Sequence, residues 1–182
     1  MRIWRVFPRS GHEPSAEGGS LWAPRAFQGD GRHDNPALYG VLYATEEPVA
    51  AVVEALAPFR GSGPLLPALL QRAGMPLALA EIDVDEGLLL VDLDDPSVLL
   101  REGLCPSVVA TRRREITQAQ ASGLFASHPE AKGLRWWSTH EASWAELSLF
   151  AERSIGLLQE RSVVELAVGQ AVVEEAAAAL GL

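Results

Sequence analysis

Residues 39–57 read Tyr-Gly-Val-Leu-Tyr-Ala-Thr-Glu-Glu-Pro-Val-Ala-Ala-Val-Val-Glu-Ala-Leu-Ala, and a change of period inside this stretch sets the fold class. Val41, Leu42, Tyr43, Ala44 and Thr45 form a compact apolar run between Gly40 and the acidic pair Glu46-Glu47, the pattern of a buried strand. Behind it, Glu46-Glu47-Pro48 puts two acids and a proline in a first turn. There the helix dipole favours negative charge and a missing N–H costs nothing, with Thr45 as the expected cap. Val49, Val52, Val53 and Leu56 continue at helical spacing until Pro58. Residues 41–57 are therefore strand then helix.

Working outward, residues 2–7 alternate basic and apolar side chains and read as a strand that turns Arg5 inward. Residues 8–40 carry too many Gly and Pro for a long regular element. A loop of that length in a compact domain is usually functional or mobile. Residues 64–72 read as a short helix opened by Pro64. Residues 77–84 and 88–93 read as two strands joined by the hairpin-type turn Asp85-Glu86-Gly87. Asp95-Pro96 opens a further turn or helix. Residues 117–127 read as a helix, 134–137 and 146–150 as strands, and 172–180 as an Ala-rich terminal helix. Strands and helices are interspersed without strict alternation, so the expected class is α+β with a mixed sheet flanked by helices.

The chain has 182 residues, of which 48% are apolar and 21% charged, which fits one globular domain over 1–182 and excludes disorder. Fifteen Lys and Arg against 24 Asp and Glu give a formal net charge of −9. That balance argues against a general nucleic-acid binder, although a small site for one or two phosphates needs only one well-placed Arg. A single cysteine, Cys105, and four scattered histidines, His12, His33, His128 and His140, offer neither a disulfide nor a zinc set, so no metal is expected. The first residues lack a signal-peptide core and no apolar run is long enough for a membrane span, which points to a cytoplasmic protein.

No nucleophile elbow, phosphate-binding loop or dinucleotide fingerprint occurs. What stands out is a dense polar stretch, Gly31-Arg32-His33-Asp34-Asn35-Pro36, close in sequence to the strand at Val41 and to Glu54 on the helix after it. Glu54 lies at the edge of the apolar helix face. It is either an ordinary solvated residue or a carboxylate with a partner or a purpose. Taken alone, Arg32 reads as a loop salt-bridge residue and Tyr43 as a core aromatic. Trp136 and Trp137 fall on opposite faces of their strand, Arg112-Arg113-Arg114 reads as a solvated face, His140 as a loop residue and Cys105 as packing.

Together these residues resemble the RES domain, the toxin half of bacterial toxin–antitoxin pairs, named for an Arg, a Glu and a Ser. The matching residues are Arg32-His33-Asp34, then Tyr39-Gly40-Val41-Leu42-Tyr43-Ala44, then Glu54, and later Gly133-Leu134-Arg135-Trp136-Trp137-Ser138 with a closing strand ending in Phe150. Trp4-Arg5-Val6 resembles the opening strand. The resemblance is strongest over 2–150, with 151–182 as a C-terminal strand and helix extension. It departs from the family at His33, where Trp or Phe is usual.

The resemblance implies a fold similar to the ADP-ribosyltransferases and an activity that breaks the nicotinamide–ribose bond of NAD by hydrolysis or phosphorolysis, with NAD as substrate and no cofactor. Arg32 would clamp the diphosphate, Tyr43 would stack on nicotinamide or position its ribose, and Glu54 would hold the ribose hydroxyls and stabilise positive charge. Ser138 would bind the carboxamide or a phosphate oxygen, and Arg5 would make a second phosphate contact. The implied partner is a cognate helix-turn-helix (Xre-type) antitoxin that takes the DNA contact, with a homodimer of this chain inside the complex compatible with it. A protein ADP-ribosyltransferase using the same NAD pocket, or a non-catalytic relative that binds a nucleotide or a partner, fits the same residues.

Overall fold

The computed structural model describes residues 1–182. The chain is α+β and divides into two compact units, one of Met1–Trp22, Ala44–Val84 and Leu158–Leu182, the other of Ala23–Tyr43 and Asp85–Leu157. No helix is long and apolar enough to cross a membrane.

In the first unit, strand β4 (Met75–Val84) is the centre. Strand β1 (Arg2–Pro8) lies antiparallel on one side of it, and strand β8 (Leu158–Glu165) lies antiparallel on the other. The period of two sends Ile3, Phe7, Ala78, Ala80 and Ile82 into the core and leaves Trp4, Val6 and Leu79 half-buried. Strand β2 (Val41–Thr45) keeps the predicted limits, and its end joins β1 through the pair Trp4 and Thr45. Helix α1 (Pro48–Leu56) packs its buried Ala50, Val52, Val53 and Leu56 against β1 and against the C-terminal helix α6 (Ala171–Leu180). Gly181 closes α6 in the left-handed conformation, φ 69°, which a glycine reaches without a Cβ penalty.

Two expectations in this unit fail for identifiable reasons. Thr45 does not cap α1. Its hydroxyl donates to the Glu47 carbonyl, Glu47 occupies the cap position with no side-chain bond, and Pro48 opens the helix. Residues 64–72 form no α-helix. Pro67 disfavours helical geometry at Leu66, which is extended at φ −114°, so only a 3-10 turn over Pro67–Leu70 forms before strand β3 (Gln71–Arg72) folds back on β4.

In the second unit the strand order runs from the start of β2 through β7 (Ala145–Phe150) and β6 (Gly133–Trp137) to β5 (Leu90–Asp92). The expected hairpin between residues 77–84 and 88–93 does not exist. Both edges of β4 are already taken by β1 and β8, and β5 pairs in parallel with β6, which makes the sheet mixed as expected. Asp95 caps helix α2 (Pro96–Arg101) by accepting the Ser97 N–H, and α3 (Pro106–Val109) starts at Cys105, which is exposed rather than packed. Helix α4 (Arg114–Ser127) covers the core formed by Tyr39, Phe125 and Phe150, whose rings lie 4.5–4.9 Å apart. Arg153, on α5 (Ala151–Ser154), stacks 3.6 Å from the Phe125 ring centre and donates to the carbonyls of Phe125 and His128, serving the C-terminal end of α4.

Gly133 marks the tightest contact between β6 and β7. A Cβ there would lie 2.6 Å from the Ser148 carbonyl oxygen and 2.9 Å from the Leu149 Cα, both backbone atoms. Gly133→Ala is expected to lower stability by about 1–3 kcal/mol, read as an earlier urea midpoint at unchanged slope.

Candidate functional site

Residues 29–34 of the breaker-rich loop are tied down by hydrogen bonds. Asp34 organises it. Its Oδ2 accepts the N–H groups of Gly29 and Gly31, each at 2.8 Å, and its Oδ1 accepts the Tyr43 hydroxyl at 2.7 Å. The same Tyr43 oxygen accepts the His33 N–H at 3.0 Å. Gly31 sits so close that a Cβ would fall 2.5 Å from both the Asp34 carboxylate and the Tyr43 hydroxyl, so the position admits no side chain. Helix α4 locks the loop from the other side. Thr117 donates to the Arg32 carbonyl, and Gln118 donates to the carbonyls of Gly29 and Gly31 at 2.8 and 2.9 Å.

Arg32 is 7% exposed. Its Nη1 donates to the carbonyls of Val109 and Thr111 at 3.0 and 2.7 Å, and the guanidinium lies 4.5 Å from the Trp136 ring centre. Its neighbour His33 is buried with Nδ1 2.8 Å from the Ser148 hydroxyl, and the Trp136 indole N–H donates to the same oxygen at 3.3 Å. An indole N–H only donates, so the Ser148 oxygen accepts it and can give its own proton to Nδ1. Burial pushes the His33 imidazole down to about 3, with the Arg32 and Arg114 charges acting in the same direction, so His33 is neutral at physiological pH. Its polar ring, unusual at an aromatic position, is accommodated by Ser148.

The structure therefore brings Arg32 and Tyr43 into one buried network with His33 and Asp34. Ser138 follows β6 in the same unit, 2% exposed, its Oγ accepting the His140 N–H at 3.2 Å. Glu54 is half-buried on α1 and belongs to the first unit. Arg5 belongs there too. Its guanidinium donates to the carbonyls of Ser20 and Trp22, and burial lowers its pKa to about 10. A surface cavity of about 590 Å³ in the first unit, lined by Met1, Arg2, Trp4, Glu46, Glu47 and Asp83, contains none of these candidates. No three His, Cys, Asp or Glu side chains cluster as metal ligands would.

A model of the RES domain matches residues 2–166. The chain belongs to the RES domain family. Among solved structures it resembles a chain in the crystal structure of the M. tuberculosis MbcT–MbcA toxin–antitoxin complex, with a TM-score of 0.67 and 21% identity over 97% of this chain and 88% of that one. At that identity the likeness is one of fold. No curated protein matches.

Within this RES domain, sequence reading passed over Ser148 and treated Trp136 only as a buried strand residue. A signal was present: Glu146 and Ser148 are polar at alternate positions of an otherwise apolar strand, which places both on one face, the same face as their cross-strand partners Trp136 and Leu134. All six residues of β7 are buried, so those polar groups lie inside the unit.

Both tyrosines of this RES domain stay protonated far into the alkaline range. Tyr43 is held well above 10 by burial and then by the Asp34 charge. Tyr39 is pushed up to about 12, mainly by burial. A raised phenol pKa favours folding below the unfolded value of about 10 and loses that contribution as pH climbs through the folded value. Ultraviolet titration of the folded protein is expected to show almost no phenolate at pH ~10.5, and stability should fall between about pH 10 and 12 but not between 7 and 9. Tyr43→Phe removes the donor to Asp34 and is expected to cost about 1–3 kcal/mol in denaturant unfolding.

Proposed function

We propose that this RES domain is the toxin of a toxin–antitoxin pair and destroys NAD in the cytoplasm by breaking the bond between nicotinamide and ribose. The observation that carries the reading is the meeting of two family motifs: the Arg32-His33-Asp34 turn and the strand bearing Tyr43 share one hydrogen-bond network through the Tyr43 hydroxyl. The resemblance in fold to a chain of a toxin–antitoxin complex supports the partner. Such a partner would be a helix-turn-helix antitoxin carrying the DNA contact, and a net charge of −9 on this chain favours association with a basic one.

In this reading the C1′–N bond breaks, nicotinamide leaves with the bonding electron pair as a neutral ring, and the ribose passes through an oxocarbenium-like state. Water attacking C1′ gives ADP-ribose and a proton. Phosphate in its place gives ADP-ribose 1-phosphate. Arg32 supplies a guanidinium for the diphosphate, held at Nη1 by the Val109 and Thr111 carbonyls. Tyr43, kept as a neutral phenol, offers a ring for nicotinamide or its ribose without adding a negative charge beside Arg32. Glu54 supplies the carboxylate that stabilises the developing positive charge and orients the acceptor, and Ser138 binds the carboxamide or a phosphate oxygen.

Purified protein at micromolar concentration is expected to release free nicotinamide from NAD, with or without phosphate; no release under either condition would sink the reading. Label from the ADP-ribose half should appear as free ADP-ribose or its 1-phosphate. Label retained on protein would indicate transfer instead. Glu54→Gln is expected to lower turnover by about 10²–10³-fold with an unchanged unfolding midpoint. Arg32→Lys should raise KM by about tenfold or more, because a point charge cannot replace a planar fork.

A further inference from the structure

We propose that Trp136 and Ser148 are positioning residues: with His33 they form a buried seat that holds the Arg32 guanidinium in the orientation in which it receives the anionic part of the substrate. The inference rests on the proposed NAD chemistry for its substrate, and on the geometry of β6 and β7 for the seat itself.

The register pairs Leu134 with Ser148 and Trp136 with Glu146, so Trp136 and Ser148 are diagonal neighbours on one face of the β6–β7 ladder. From that face the indole N–H reaches the Ser148 oxygen at 3.3 Å, and the His33 Nδ1 reaches the same oxygen at 2.8 Å. The His33 ring meets the indole nearly edge-on, with centres 5.5 Å apart and planes at 79°. The indole is thus fixed at its nitrogen by Ser148 and braced at its ring by His33. Arg32 then lies on it, 4.5 Å from the ring centre.

Each contact restricts a different freedom. The indole face fixes where the guanidinium lies, 4.5 Å from the ring centre, and the Val109 and Thr111 carbonyls hold its Nη1. An arginine side chain otherwise loses rotamer entropy when a ligand immobilises it, and a seat built into the fold removes most of that loss from the binding step. The seat also preserves the charge it holds: indole and hydroxyl are neutral, and burial keeps His33 neutral as well. A purely apolar filling would seat a Trp equally well in a core. Here Ser148, with no exposed surface, and His33, 2% exposed, bring polar atoms into that core at a desolvation cost that only their mutual bonds offset. The pair bond to each other and to the indole, which assigns them to aiming Arg32.

The test reads Arg32 directly and through the reaction. In wild-type protein the Arg32 side-chain Nε–H resonance, assigned by its loss in Arg32→Lys, is expected upfield of the other arginines because of the indole ring current. Trp136→Leu should return it to the ordinary arginine position and raise KM for NAD by about tenfold, with kcat changing less. Trp136→Phe should keep a smaller upfield shift and part of the affinity, and the retained shift is one that a merely space-filling role would not require. Ser148→Ala, which removes one oxygen and keeps the fold if Trp136→Leu does not, should move the resonance part of the way and raise KM by a few-fold. An Arg32 resonance unshifted in the wild type, or a shift and KM both unchanged in folded Ser148→Ala and Trp136→Phe, would overturn the seat. If wild-type protein releases no nicotinamide, the NAD reading fails by itself and the resonance alone decides whether the seat exists.

Discussion

The candidate site depends on one buried carboxylate. Asp34 is 5% exposed and must be given hydrogen bonds, because an uncompensated carboxylate at that depth would cost several kcal/mol. Three donors answer it, two backbone N–H groups from its own loop and the hydroxyl of a strand residue. Because the donors come from both sides, satisfying Asp34 also curls residues 29–34 and pins the curl to β2. Arg32 and His33 lie inside that curl, so their directions follow from how Asp34 is satisfied. The requirement extends to Gly31, whose missing Cβ makes the approach of Tyr43 to Asp34 possible.

Local pattern was enough wherever the decisive forces are local. The limits of β2 were legible because an apolar run sits between a glycine and two acids. The reading of β1 was legible because its alternation survives in its burial. The failures each involve a competitor outside the window. The turn Asp85-Glu86-Gly87 has hairpin chemistry, but β4 was already paired on both edges by residues from opposite ends of the chain. Pro64 looked like a helix opener until Pro67 acted on the residue before it. Thr45 had the chemistry of a cap and spent its hydroxyl on the Glu47 carbonyl.

The site divides in the same way. That Arg32 and Tyr43 belong to neighbouring parts of the chain was legible because motif order and spacing survive in sequence, and the network joining their segments is short in chain terms. His33 meets Ser148 across 115 residues, and Thr117 meets the Arg32 carbonyl across 85. No periodicity carries such pairings. The polar alternation of Glu146 and Ser148 was the only trace, and it looks like ordinary strand patterning until the buried face is known. The acidic balance of the chain is likewise compatible with a buried cationic residue in the candidate site, because Arg32 is enclosed by carbonyls and an aromatic ring within its own unit.

The placement of β8 and α6 bears on how the chain is made. The first unit needs β8 to cover the second edge of β4, and α6 to cover the apolar side of α1. Both arrive after residue 157. While translation proceeds, the most extended strand of that unit has one unpaired edge, and the helix bearing Glu54 has an uncovered face. These are features on which unrelated chains associate. The vulnerable interval for this protein is therefore its own synthesis, and it closes only when residues 158–180 have folded back on β4 and α1.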